Sequence, residues 1–314
     1  NMSRAFGATT PMAAFEEQAQ RNMALFQQAM KVWAPFAAGN MSGMPGIPGM
    51  PGMNAPKFNN ADEEDKDEQQ ILSIRSVSDT PLSIAILVQD DLTTNFNVQI
   101  DDIKQFIRGL PKGTRVMVAY LRGGAPQIRQ RFTDDLESAA KSLRIVAGSS
   151  SLAPRSPFGG VSDVLSRFDG VPSGRRAILL FSDGLDTSNG LNLASISQSY
   201  DLDQAILKAQ RRSIAVYSFY SPTTLTESGN SILTLGAQGA LAKLSDETGG
   251  RSFGSGSFAP VSYLPYFREL NLTLSRQFAL SYISTHMKKR YYKISVTSTN
   301  PEVKIEHPRG YYYR

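Results

Sequence analysis

The residues of this chain best suited to chemistry lie in two clusters, each following an apolar run. Gln89, Asp90, Asp91, Thr93 and Thr94 follow the run Ile84–Val88; Ser182, Asp183, Asp186 and Thr187 follow Ala177–Phe181. Carboxylates and hydroxyls are hard oxygen donors, the kind that Mg²⁺ and similar cations select. Two such clusters, brought together, could hold one divalent ion and leave a position open for an incoming ligand. Leu92 interrupts the first cluster where another oxygen would serve.

The elements that must position these residues follow from periodicity. A continuous apolar run of this length is the pattern of a strand buried on both faces of a parallel sheet, and ligands of open α/β sheets gather at the carboxyl ends of such strands. Besides Ile84–Val88 and Ala177–Phe181, strands are expected at Arg115–Leu121, at Gln127–Phe132 as a short edge strand, and at Ile214–Tyr220. Helices are expected at Val98–Leu110, from a cap at Asp134 or Asp135 through Leu143, and at Val161–Phe168, Leu202–Arg212, Gly239–Thr248 and Tyr263–Leu274. Residues 147–159, rich in Ser, Gly and Pro, read as a long loop. This alternation implies a doubly wound, mostly parallel α/β sheet with helices on both faces, Rossmann-like in character. In the tail, Phe278–Ser284, Tyr292–Thr297 and Val303–His307 alternate polar and apolar residues, as antiparallel strands do, with Tyr311–Tyr313 available for packing.

The first 70 residues differ in texture. Residues 12–34 read as one amphipathic helix, with Phe15, Ala19, Met23, Phe26, Met30 and Trp33 expected along one stripe, Thr10 as cap and Pro35 as terminator. Residues 39–70 are a linker, first Gly/Pro/Met-rich and then acidic, without expected regular structure. Eight of the ten Met residues fall in the first 53 positions, a break that sets this segment apart from 71–314. The organisation is therefore a helical segment at 1–38, a linker at 39–70 and one α/β domain at 71–314 with a strand extension over 276–314.

Composition narrows the function classes. There is no Cys, which removes disulfides, thiolate metal sites and a Cys nucleophile. No apolar run approaches the ~18 residues that a membrane span needs, and no signal peptide is visible. The net charge of +5 divides into −3 over residues 1–70 and +8 over 71–314, with the basic residues scattered as on an ordinary solvated surface. No nucleic-acid partner is expected.

Several catalytic readings of Asp90 and Asp91 fail on particular residues. A phosphoryl-transfer receiver needs a Lys after its last strand, but Ile214–Tyr220 runs into Ser221-Pro222-Thr223-Thr224. An Asp-x-Asp phosphatase would place its nucleophile at Gln89, an amide that cannot form an acyl phosphate. There is no Gly-x-x-x-x-Gly-Lys loop and no Gly-x-Ser-x-Gly elbow. The only His residues, His286 and His307, lie in the tail.

Taken together, Ile84–Thr94, Arg155–Leu165 and Arg175–Asp186 resemble a von Willebrand factor type A domain, including its bacterial relatives of unknown function, over about residues 71–314. That resemblance implies a metal-ion-dependent adhesion site. Asp90, Leu92 and Thr94 match the family's Asp-x-Ser-x-Ser motif, Ser156 its loop Thr, and Asp183 its later Asp. The implied ligands of Mg²⁺ or another divalent cation are thus Asp90, Thr94, Ser156 and Asp183, with Asp91 as a substitute for the oxygen that Leu92 lacks. A partner's Asp or Glu would complete the sphere. The resemblance also favours an exported or periplasmic location.

Phe15–Met23 through Pro35-Phe36 is similar to the C-terminal region of polyhydroxyalkanoate synthesis regulators, which implies self-association or granule contact through residues 12–34. The resulting expectation is a non-catalytic protein-interaction domain with a degenerate adhesion site. The alternatives are a divergent metal-dependent phosphotransfer or hydrolase domain using Asp90 and Asp91, and a granule-surface or structural protein acting through the N-terminal helix.

Overall fold

The computed structural model describes residues 68–148, 155–188, 190, 199–227, 231–256, 258, 260–285 and 288–312. The expected helix over 12–34, nearly all of the linker, loop residues 149–154 and His286 lie outside the described residues. Two compact units divide the chain, Asn1–Asp65 and Lys66–Arg314, and every described residue belongs to the second.

Ten strands and seven helices are described. The strands are β1 (Gln70–Ser76), β2 (Leu82–Gln89), β3 (Arg115–Arg122), β4 (Ala125–Thr133), β5 (Arg175–Ser182), β6 (Ala215–Tyr220), β7 (Ser252–Phe253), β8 (Phe278–Ile283), β9 (Tyr291–Lys293) and β10 (Gly310–Tyr312). The helices are α1 (Ile100–Arg108), α2 (Leu136–Lys141), α3 (Pro157–Leu165), α4 (Tyr200–Arg212), α5 (Thr224–Glu227), α6 (Ser231–Thr248) and α7 (Leu264–Ser275). Six strands form the central sheet in the order β4-β3-β2-β5-β6-β7, parallel except for the antiparallel edge strand β4. This is the doubly wound α/β architecture that the strand–helix alternation implies.

The chain runs outward from β2 to β3 and β4, then crosses back to β5 on the other side of β2. The order therefore reverses between β2 and β5, and the crevice of such a sheet opens at that reversal. All eight residues of β2 are buried. Ile84, Ile86 and Val88 point into one core with α1, α2 and α7; Ala85 and Leu87 point into the other with α3, α4 and α6. This alternation explains why β2 reads as an unbroken apolar run: water reaches neither face.

Several boundaries shift for physical reasons. The helix expected from Gly239 begins at Ser231, because Leu233, Ala237, Ala240 and Leu241 bury one face of α6 and outweigh the low helix propensity of Gly236 and Gly239. Pro157 opens α3 four residues before the expected helix, with Ser156 as its cap. Residues 94–99 form a 3₁₀ turn ahead of α1.

The tail pairs antiparallel, as expected, but in two small sheets: its first strand, β8, pairs with β1, a strand that the sequence reading left out, and does not extend the central sheet. Tyr292–Thr297 contracts to β9, whose partner is β10. Val303–His307 is not a strand, and Val303 and Ile305 stay exposed. Tyr311 does pack, stacking on Tyr292 at 5.6 Å and meeting Tyr282 edge-on at 5.9 Å. Among the described residues no helix is long and apolar enough to cross a membrane.

Candidate functional site

The carboxyl ends of β2 and β5 bring both acidic clusters to the crevice. Their junction is locked by Gln89, the buried last residue of β2. Its Oε1 accepts from Ser182 Oγ at 2.5 Å and from the Asp183 backbone N–H at 3.2 Å, while its Nε2 donates to Asp91 Oδ1 at 2.9 Å. A side chain that must accept from one strand and donate to its own loop needs an amide, since a carboxylate could not donate. This is the physical reason for Gln at the position where a phosphatase would need Asp.

Asp183 is fully buried. Its Oδ1 accepts from the Leu185 N–H at 3.0 Å, and its Oδ2 accepts from Thr223 Oγ1 at 2.7 Å. Gly184 follows with φ +74°, and a Cβ there would come within 2.4 Å of the Ala237 carbonyl oxygen. Only glycine lets the chain turn this close to α6, and the turn aims Asp183 into the crevice.

The cationic group at the centre is Arg155. One guanidinium nitrogen lies 3.1 Å from Asp91 Oδ2 and another lies 3.1 Å from Asp183 Oδ2. The Arg155 side chain is only 6% exposed. Its backbone is pinned on both sides, because Arg155 N–H donates to Thr187 Oγ1 at 3.1 Å and Thr187 N–H donates to the Arg155 carbonyl at 2.8 Å. A single planar fork therefore ties the loop after β2, the loop after β5 and the entry to α3. Such bidentate geometry suits guanidinium and not ammonium. Burial pushes the Asp91 carboxyl above its usual value, and the neighbouring Arg155 charge partly offsets that push.

Asp90 faces elsewhere. Its Oδ1 lies 2.6 Å from an Arg144 nitrogen. The Arg144 guanidinium sits 4.3 Å over the Tyr120 ring, and Tyr120 Oη both donates to the Arg144 carbonyl and accepts from its N–H.

The remaining expected ligands separate as well. Thr94 is exposed. Ser156 caps α3, accepting from Gly159 N–H at 3.3 Å, and donates to Asp186 Oδ2 at 3.0 Å. Asp186 also accepts from the N–H and hydroxyl of Ser188, so it holds the turn after β5. Leu92 is completely buried in the α1/α7 core beside Phe96 and makes no approach to the crevice.

Asp91 and Asp183 thus converge, whereas Asp90, Thr94 and Ser156 are each committed to other surroundings. Among the described residues no group of three or more His, Cys, Asp or Glu could hold a metal ion. The donor set as it stands does not fit a divalent cation. The carboxylates that converge already share a positive charge, and a second cation beside the guanidinium would meet strong repulsion at low dielectric. Arg155 and Thr223 are the site residues that the sequence reading missed, and Gln89 stood in the first cluster without its bridging role. Arg155 stood next to the expected ligand Ser156, but no local pattern links an arginine to acids on two distant strands.

No family model matches the sequence, and no curated protein matches it. Solved structures similar to it include an aerotolerance-related membrane protein from Bacteroides fragilis (11% identity, TM-score 0.40, 63% of this chain and 99% of that one). The von Willebrand factor domain of a type V pilus tip protein from Porphyromonas gingivalis is similar at 11% identity and TM-score 0.44, covering 63% of this chain and 97% of that one. A von Willebrand factor type A protein from Catenulispora acidiphila matches at 14% identity and TM-score 0.44 over 62% of this chain, which spans less than half (42%) of that protein. In architecture the chain is similar to von Willebrand factor type A domains, and at these identities the likeness concerns the fold alone.

Proposed function

We propose that residues 71–314 form a non-catalytic protein-interaction domain whose partner seats on the carboxyl-edge loop 90–98 and on the segment 143–148 hydrogen-bonded to it. One observation carries this reading. Asn97 and Val146 exchange two hydrogen bonds, Asn97 Nδ2 donating to the Val146 carbonyl at 2.9 Å and Val146 N–H donating to Asn97 Oδ1 at 2.8 Å. The residues flanking that pair, Val98 and Ile145, are 76% and 69% exposed, and the partly exposed Arg144 directly precedes Ile145. Apolar side chains held rigidly beside an arginine are what protein interfaces favour at their centres.

The absence of chemistry in this reading rests on saturation. Asp91 and Asp183 are both engaged by Arg155, Asp90 is engaged by Arg144, and Gln89 stands where a nucleophile would be needed. None of these carboxylates is positioned to hand a proton to a bound molecule, which a general acid or base must do.

The test places a photo-crosslinking amino acid at Val98 or Ile145, with Leu272, exposed at the amino edge of the sheet, as control. Discrete adducts are expected at 98 and 145, and substitution Ile145→Glu should abolish the adduct at 98. Equal labelling at 272, or none at 98, would overturn the reading.

A further inference from the structure

We propose that Arg155 is a built-in cation, taking the charge role of a divalent ion at the β2/β5 crevice so that the carboxyl edge is assembled without metal. Four features converge on this. The guanidinium bridges two carboxylates contributed by different strand ends. The side chain is buried and so cannot act as a solvated surface charge. Its backbone is fixed by reciprocal hydrogen bonds with Thr187, so the fork is held in place before any partner arrives. The oxygen donors around it are the kind a hard cation would take: Asp91 and Asp183 carboxylates and the Thr223 hydroxyl, all held by further hydrogen bonds.

The chemistry distinguishes a bound ion from a covalently attached one. A divalent ion adds two charges and dissociates, so its loops loosen when metal is scarce. A guanidinium adds one charge, never deprotonates in a protein and cannot leave. The crevice is therefore constitutively closed and indifferent to chelation. Removing the side chain would leave the buried Asp183 carboxylate, the partly buried Asp91 carboxylate and a hydroxyl around a vacated space, which is a latent site for a divalent cation. The inference concerns assembly of the edge and stands whether or not a protein partner binds there.

Melting of the full chain with Mn²⁺ or with EDTA tests it directly. The wild type should melt at one temperature in both. Arg155→Ala should lower Tm on the order of 10 °C. Mn²⁺ should then raise it saturably, by about 5 °C or more at a hundredfold excess over Kd. Adding Asp183→Asn to Arg155→Ala should abolish that rescue. Arg155→Lys, which keeps the charge, should remain insensitive to Mn²⁺ and carries the test if the alanine variant does not fold. In that case Arg155→Met, matched in size but neutral, should fold only in Mn²⁺ or gain stability from it. Saturable Mn²⁺ stabilisation of the wild type would overturn the proposal. So would neutral variants that Mn²⁺ does not stabilise, because Arg155 would then be an ordinary buried ion pair.

Discussion

Asp90 and Asp91 are neighbours in the chain, yet they inhabit different electrostatic worlds. Asp90 pairs with Arg144, whose guanidinium is 35% exposed and rests on an aromatic face. Asp91 pairs with Arg155, which is buried and shared with Asp183. The two contacts look alike as distances, but they differ in how much solvent competes for the charges. The Asp90–Arg144 pair is only partly buried and contributes less, because water and salt reach Arg144 and screen it. A buried pair can add little net stability compared with an apolar replacement, yet removing one partner strands the other charge and is costly. The buried triad holds the edge together; the Asp90–Arg144 pair rides on its rim.

Mutations that separate the two pairs should show this asymmetry. The largest effect is expected for Asp183→Ala, which takes the fully buried carboxylate from Arg155 and the acceptor from both the Thr223 hydroxyl and the Leu185 N–H. A loss of about 3–5 kcal/mol should appear as a lower urea midpoint at unchanged slope. Gln89→Leu should come next, at about 2–3 kcal/mol, since the Ser182 hydroxyl and the Asp183 N–H lose their acceptor while buried; equilibrium unfolding measures it. Asp90→Asn should cost at most about 1 kcal/mol, and that difference should shrink further in 0.5 M NaCl while the Asp183→Ala loss persists. Equal costs for Asp90 and Asp183 would erase the distinction.

The smallest expected effect is a pH dependence. The folded state raises the Asp91 pKa, so between the ordinary carboxylate value and the raised one the native protein holds more proton than the unfolded chain. Asp91 thus contributes stability that is fully present below the ordinary value and is lost as pH rises through the folded one. The wild type should therefore lose stability relative to Asp91→Asn across that window and then run parallel to it above. Melting curves of both proteins from pH 3 upward would show it, and a difference that grows in favour of the wild type would reverse the sign.

How much of this could be read in advance differs between fold and site. The unbroken apolar run of β2 announced a strand covered on both faces, and the acids after it announced a strand end in a crevice. Gln89 was noticed only as an obstacle to phosphatase chemistry; its hydrogen bonds to both strand ends became visible only when β5 lay beside it. Leu92 looked like a defective ligand because the motif was read along the chain. In space it belongs to the core with Phe96, so it is a packing residue with an oxygen-free reason to be there. The strand β1 was missed because its residues are exposed along their whole length, so no buried face marks them. The tail strand expected at 303–307 failed for the complementary reason: alternation alone does not make a strand, which also needs a partner to pair with, and no pairing forms there.

The sequence by itself determined the layers, the strand ends and the presence of oxygen donors at two of them, because burial and periodicity are properties of neighbouring residues. Only the tertiary structure decided which donors meet and what charge lies between them. That choice depends on Arg155 arriving from a third segment, and in a low-dielectric crevice the position of one guanidinium decides whether a second cation can enter.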